Sequence, residues 1–273
     1  MLKILEIGDY LVPSQYKLHS EFKRVVNYQS TIDDSMLSLV TSEVGGGPYN
    51  IMVESLDHFP EKMHLTKQYL IENSFKLSKS SLGDFDLQIP PEKLKCFKTL
   101  LLENKANSYL IESGNQNLAP LNFEDHLKNR LIEGKKVIFE ESLLDGIKIL
   151  KGLGFGLTPS GDDFLIGIMI GIHLKTRSTR QTDLSRDKIL KLILENSLGE
   201  NALSNWFLKT AFRGLVSSKM KTFILALSQG SMSDIREAFN IQARIGHSSG
   251  LDQLAGLYEV IKRKNLWPTL LKP

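Results

Sequence analysis

Gly152-Leu153-Gly154-Phe155-Gly156-Leu157-Thr158-Pro159-Ser160-Gly161-Asp162-Asp163 opens directly into the apolar run Phe164 to Leu174. Glycine admits positive φ and lets backbone N–H groups come close to a partner without a Cβ in the way. A helix that starts behind such a loop presents free N–H donors and the positive end of its dipole. The stretch therefore predicts a helix start able to cradle a small anion, with Gly154, Gly156, Thr158, Ser160, Gly161 and Asp163 as candidate site residues. Ser160 is a good N-cap, and Asp163 three residues on can close a capping box. Asp162 is not needed by the cap. It has an electrostatic reason to sit in a first turn, and it also has the chemistry to orient a nucleophile or to hold Mg²⁺ through water. Gly167 and Gly171 share one face and suit close helix packing, while His173 reads as a buried or capping histidine.

A second start lies further along, Ile245-Gly246-His247-Ser248-Ser249-Gly250-Leu251-Asp252, leading into Leu254-Ala255-Gly256-Leu257. Ser160-Gly161-x-Asp163-x-Leu165-x-Gly167 and Ser249-Gly250-x-Asp252-x-Leu254-x-Gly256 share one spacing. A capping box with an apolar stripe accounts for part of this echo. Two such helices packed through their glycine faces would aim both N-termini at one point and hold a dianion there. Gly246, Ser248, Ser249, Gly250 and Asp252 join the candidate contacts. His247, just ahead of the second helix, is placed to donate to the bound charge or act as a general acid.

Around these motifs the chain divides by period. The early part reads as short strands: Lys17 to Thr31 alternates, Met36 to Thr41 and Ile51 to Glu54 are aliphatic bursts, and Asp33-Asp34 and Gly45-Gly46-Gly47-Pro48 separate them. Phe85 to Ile89, Phe97 to Glu103 and Ser108 to Glu112 continue the style until Ser113-Gly114-Asn115 and Ala119-Pro120. Helical spacing follows in Phe123-Leu127-Leu131, Ile189 to Leu194 and Trp206-Phe207-Ala211-Leu215. The expectation is an α+β chain with an antiparallel β meander or small barrel over 1–120 and a mainly α-helical domain over 121–273. Thr176 to Asp187, polar and charged, reads as an exposed connection.

With 273 residues and 41% apolar content the chain can bury a large core. Its 34 basic residues against 31 acids are scattered, which argues against nucleic acid as a partner. The first residues lack the pattern of a secretory signal, and no apolar run reaches the ~20 residues of a membrane span, so a cytoplasmic location is expected. A single cysteine, Cys96, excludes an internal disulfide and any multi-thiolate metal site. It stands between Lys95 and Lys98, and reads more simply as a half-buried thiol than as a reactive one. No resident cofactor is expected beyond the Mg²⁺ that Asp162 could hold through water.

Three other features are discounted. Ser178-Thr179-Arg180-Gln181-Thr182 resembles the phosphate loop of ornithine and aspartate carbamoyltransferases, but Gln181 interrupts it and no strand precedes it. The glycines from Gly152 to Gly156 lack the lysine-serine/threonine pair of a P-loop and the preceding strand of a dinucleotide fingerprint. His58 and His64 are too far apart for one helical face.

The two helix starts together resemble those of the AllH (YlbF) family, and Gly46-Gly47-Pro48-Tyr49-Asn50-Ile51 resembles that family's turn in the first domain, which brings Asn50 into the candidate set. Phe155 stands where a proline is usual, and Glu200 to Ser204 matches the family's intervening polar helix start only weakly. The resemblance implies a subunit of oxamate carbamoyltransferase. Such a subunit works with FdrA-like (AllF) and AllG-like partners to interconvert oxalurate and phosphate with oxamate and carbamoyl phosphate in purine and allantoin breakdown. It further implies a small anionic substrate, with His247 donating to it and Asp162 orienting the amide nucleophile. Two rival readings are a non-catalytic subunit that holds its partners through the same surfaces, and a kinase-like phosphotransferase.

Overall fold

A computed structural model describes residues 3–73, 77–82, 89–111, 122–178, 183–264, 266 and 270. The chain forms two compact units: Met1–Leu82 with Leu215–Thr222, and Gly83–Gly214 with Phe223–Pro273. The sequence boundary near Pro120, the strand expected from Phe85 to Ile89 and the Arg180 region of the phosphate-loop look-alike lie outside the described residues.

The first unit holds a six-stranded, curled sheet: β1 (Ile4–Ile7), β2 (Ser14–Phe22), β3 (Val25–Ser30), β4 (Met36–Val40), β5 (Asn50–Val53) and β6 (Lys62–Leu65). Their order is β1-β5-β4-β3-β2-β6. The run from Lys17 to Thr31 becomes the hairpin β2–β3, with Phe22 opposite Val25. Alternation places Tyr16, Val26, Tyr28, Leu37, Leu39, Ile51 and Val53 in a buried layer, which is why these short bursts pair at all. Every pairing is antiparallel except β4–β5, which is parallel. The crossover that this requires runs over residues 41–49 and includes the glycine-proline turn, whose Pro48 carbonyl accepts from Tyr10 N at 2.9 Å. Asn50 holds that turn as well, donating through Nδ2 to Gly45 O at 3.1 Å. A short helix, α1 (Lys67–Glu72), follows β6, capped by Thr66.

The second unit is helical: α2 (Pro91–Glu103), α3 (Phe123–Glu140), α4 (Leu143–Leu150), α5 (Ser160–Ser178), α6 (Asp183–Ser197), α7 (Ala202–Phe212), the later part of α8 (Ser218–Gln229), α9 (Met232–Ala243) and α10 (Ser249–Ile261). The strand expected over Phe97 to Glu103 is corrected to helix. Pro90-Pro91 starts α2, and Phe97, Leu100 and Leu101 line one face at helical spacing. Phe97 packs edge-on against Phe223, Phe239 and Tyr258, contacts a short alternating run cannot reveal. Ser108 to Ile111 is a turn rather than a strand, and Cys96 is half-buried on α2. The exposed connection expected from Thr176 to Asp187 is also corrected, since α5 runs to Ser178 and α6 begins at Asp183.

α5 is the core element of this unit. Every residue from Gly161 to Leu174 is buried, Phe164, Leu165, Ile168, Met169, Ile172 and Leu174 completely. A helix that is apolar all round must be surrounded by others, and each fully buried large side chain contributes about 1.5–3 kcal/mol. Among the described residues no helix is long and apolar enough to cross a membrane.

Candidate functional site at two abutting helix starts

α5 and α10 lie side by side and run in the same direction. Ser160 Oγ is 3.3 Å from Ser248 Oγ at their starts. Further along, a Cβ built on Gly167 would lie 2.0 Å from Gln253 O and 2.9 Å from Leu257 N, and one on Gly171 would lie 2.7 Å from Val260 Cβ. Backbones this close exclude any side chain, so the packing reading of Gly167 and Gly171 is correct. Gly256 does the same in return, its added Cβ meeting Phe164 O at 2.1 Å and Ile168 N at 3.0 Å.

The spacing shared by the two segments is therefore a shared structure. Gly161 N donates to Leu153 O at 2.8 Å, and Gly250 N donates to Ile245 O at 3.0 Å. Each loop thus closes on the second residue of its helix. That residue must be glycine, because Leu150 O presses to 1.9 Å from an added Cβ at Gly161 and Gln242 O to 2.1 Å at Gly250. Gly154, Gly156 and Gly246 have φ of 135°, 94° and 62°, which L side chains rarely adopt.

Parallel helices with abutting N-termini bring two positive dipole ends together. Three buried carboxyls answer them: Asp162, Asp163 and Asp252 are 3%, 1% and 1% exposed. Asp162 Oδ1 accepts from Gly152 N at 2.8 Å and its Oδ2 from Ser204 Oγ at 2.5 Å. Both oxygens are engaged, so the carboxyl ties the loop to α7. Burial still raises its pKa, against the pull of Gly152, Ser204 and Lys151.

Asp163 does not close a capping box with Ser160, as the sequence suggested. Ser160 is itself the first helical residue, and Thr158 Oγ1 donates to Asp163 Oδ2 at 2.7 Å while Gln253 Nε2 donates to Oδ1 at 2.9 Å. Thr158 Oγ1 lies 3.0 Å from Ser249 Oγ, so its hydroxyl joins the two helix starts. Burial pushes Asp163 up to about 7, with Gln253 and Thr158 opposing and the neighbouring Asp252 charge adding to the rise. A helix start favours a charge by about 0.3–1 kcal/mol, up to about 2 in buried geometry, and here desolvation outweighs it.

Asp252 is the counterpart of Asp163 on α10. Ser108 Oγ donates to its Oδ1, while Oδ2 has no hydrogen-bond partner among the described residues. Ser248 and Ser160 stand close enough to draw its pKa down but do not complete a bond to Oδ2. Burial dominates and raises it to about 6, against Ser108, those two serines and His247.

His247, Gly246 and Gly156 are exposed, and His247 lies near enough to act on Asp252. Asn201 caps α7 through Ser204 N and donates to Leu157 O at 2.7 Å, holding the first loop. Asn50 belongs to the first unit, and the junction residues belong to the second. Sequence reasoning missed Ser108 and Gln253 as supports, and it discounted Asn201 and Ser204 within the weakly matching stretch Glu200 to Ser204, although Asn201 is an N-cap residue ahead of an apolar-periodic run.

Fold and junction define a class: an α+β protein whose helical unit repeats a helix, glycine loop, helix arrangement and joins the two copies start to start. Residues 150–261, from the last residue of α4 to the last of α10, match the family model described as oxamate carbamoyltransferase subunit AllH. This region is similar to the AllH family. Neither the curated proteins nor the solved structures give a match to the chain.

Proposed function

We propose that this chain is a subunit of an oxamate carbamoyltransferase-type complex that binds a small anion where α5 and α10 begin. The reaction would interconvert oxalurate and phosphate with oxamate and carbamoyl phosphate, with FdrA-like (AllF) and AllG-like subunits as partners. The observation that carries this reading is the Thr158–Ser249 contact at 3.0 Å, which joins two glycine-led helix starts inside the AllH-matching region. The N–H groups of Gly154, Phe155, Gly156 and Leu157 have no acceptor among the described residues. Those amides, with the hydroxyls of Thr158, Ser160, Ser248 and Ser249, suit the oxygens of a phosphate or carboxylate.

In this reading His247 donates to the bound anion, or to the carbamoyl oxygen as it gains charge. Asp162, with both oxygens engaged, acts as a positioning residue that holds the loop. The test is carbamoyl transfer by the complex reconstituted with its two partner subunits. Replacing His247 by alanine is expected to lower turnover on the order of 100-fold. An unchanged rate in both His247→Ala and Ser249→Ala would end the assignment.

A second reading, a non-catalytic subunit with the same fold, is favoured by the packing role of Gly167 and Gly256 and the engagement of Asp162. Calorimetry of the chain with phosphate, oxamate or carbamoyl phosphate separates the two, heat from any of them favouring the binding subunit.

A further inference from the structure

Three carboxyls buried at the proposed site pose an electrostatic problem for an incoming dianion. Asp163 faces the Asp252 charge and Asp252 faces His247, while the third carboxyl, Asp162, has Lys151 beside it. The neutral side chains around the pair are Thr158, Gln253 and Ser249 at Asp163 and Ser108, Ser248 and Ser160 at Asp252.

With Asp163 ionised, Thr158 donates to it, and the Ser249 hydroxyl hydrogen also points inward, to Thr158 or to Asp163 itself. Both hydrogens point inward, and Ser249 turns lone pairs toward an arriving anion. With Asp163 protonated at Oδ2, its O–H donates to Thr158, Thr158 donates to Ser249, and the Ser249 hydrogen is released outward. Gln253 continues to donate to Oδ1 in either state.

We propose that Asp163, Thr158 and Ser249 form a reversible hydroxyl relay, and that the site takes up one proton on Asp163 when it binds its dianion. The inference rests on the anion-site reading above. No bond other than O–H is made or broken; one proton enters from solvent, and the hydroxyl hydrogens reorient. The companion carboxyl is built alike: Asp252 is buried, takes Ser108 on Oδ1, and has Ser248 and Ser160 beside it. The raised pKa of Asp163, about 7, puts that proton within reach near neutral pH.

Sulfate, a dianion that does not titrate in this range, is the probe. Wild-type affinity is expected to fall about tenfold per pH unit above about pH 7, the slope of one proton. Asp163→Asn supplies a permanent donor to Thr158 and is expected to bind sulfate at high pH as the wild type does at low pH, with a flat profile. His247→Gln, which loses the donor assigned above, is expected to bind sulfate more weakly at every pH and still to lose affinity as pH rises. An Asp163→Asn profile that follows the wild type overturns the relay. Absence of sulfate binding in every protein would instead overturn the anion site and its coupling together. The relay is then read alone, by carboxyl-carbon NMR titration of Asp163 in wild type and Thr158→Val. Titration in the ordinary carboxylate range would overturn it.

Discussion

Gly167 and Gly256 occupy equivalent places on the two sides of one helix contact, each pressed against the backbone of the other helix. A Cβ on the first would stand 2.0 Å from Gln253 O and one on the second 2.1 Å from Phe164 O. Because the obstacle is backbone on both sides, no rotamer change relieves it. This contact sets how near α5 and α10 lie, and with it how near their starts come.

Gly167→Ala and Gly256→Ala are each expected to destabilise the chain by about 1–3 kcal/mol, the usual cost of overpacking. Gly199→Ala is the control, since only the mobile end of Lys151 comes near, at 3.5 Å. Denaturant unfolding measures all three. Equal stability of Gly167→Ala and Gly199→Ala would contradict the close approach.

Ser204→Ala removes a hydrogen bond to a buried carboxylate and is expected to cost about 1.5–3 kcal/mol. Asp162→Ala should cost at least as much, because it leaves Gly152 N–H and the Ser204 hydroxyl unanswered. Thermal unfolding of both variants checks this. A stable Asp162→Ala protein that lost only activity would argue for a chemical role in place of the positioning one.

The pH dependence of stability has a definite sign. Asp163 and Asp252 are raised to about 7 and about 6, so the folded chain binds protons more tightly than the unfolded chain does. Their contribution is fully present below the ordinary carboxylate range and is lost as pH rises through about 6 to 7. Each proton held only in the folded state gives a slope of about 1.4 kcal/mol per pH unit. Urea unfolding across this range should therefore show stability falling with pH, and Asp163→Asn should flatten the slope. A wild-type stability that rises with pH there would refute the assignment.

Gly154 and Gly156 separate strain from contact. Gly154→Ala meets Ser160 N at 2.4 Å at φ 135°, whereas Gly156→Ala at φ 94° has nothing within 4 Å. Backbone strain alone costs about 1–3 kcal/mol, so both should destabilise, Gly154→Ala more. Comparison of their unfolding midpoints tests the ranking, and the reverse order would mean that the loop is arranged differently.

Much of this was legible locally. The loop-to-helix starts, the all-round apolar character of Phe164 to Leu174 and the spacing shared by Ser160 to Gly167 and Ser249 to Gly256 follow from glycine, cap and apolar positions within one segment. The strands of the hairpin and the helical period of Phe123 to Leu131 are equally local. Phe97 to Glu103 was misread because a short apolar burst fits either period, and the aromatic neighbours that decide it come from α8, α9 and α10. The strands Ile4–Ile7 and Lys62–Leu65 gave too little pattern in four residues each to stand out.

By itself the sequence determined which segments start helices, which faces are apolar and which chemical groups stand at each start, because these depend on near neighbours. Only the tertiary structure decided that α5 and α10 run parallel, and that Asp163 takes its partners from Thr158 and Gln253. Periodicity records that a face must be covered and says nothing of what covers it. A buried carboxyl is satisfied by whichever donors the packing delivers, and here one of them comes from a helix far along the chain.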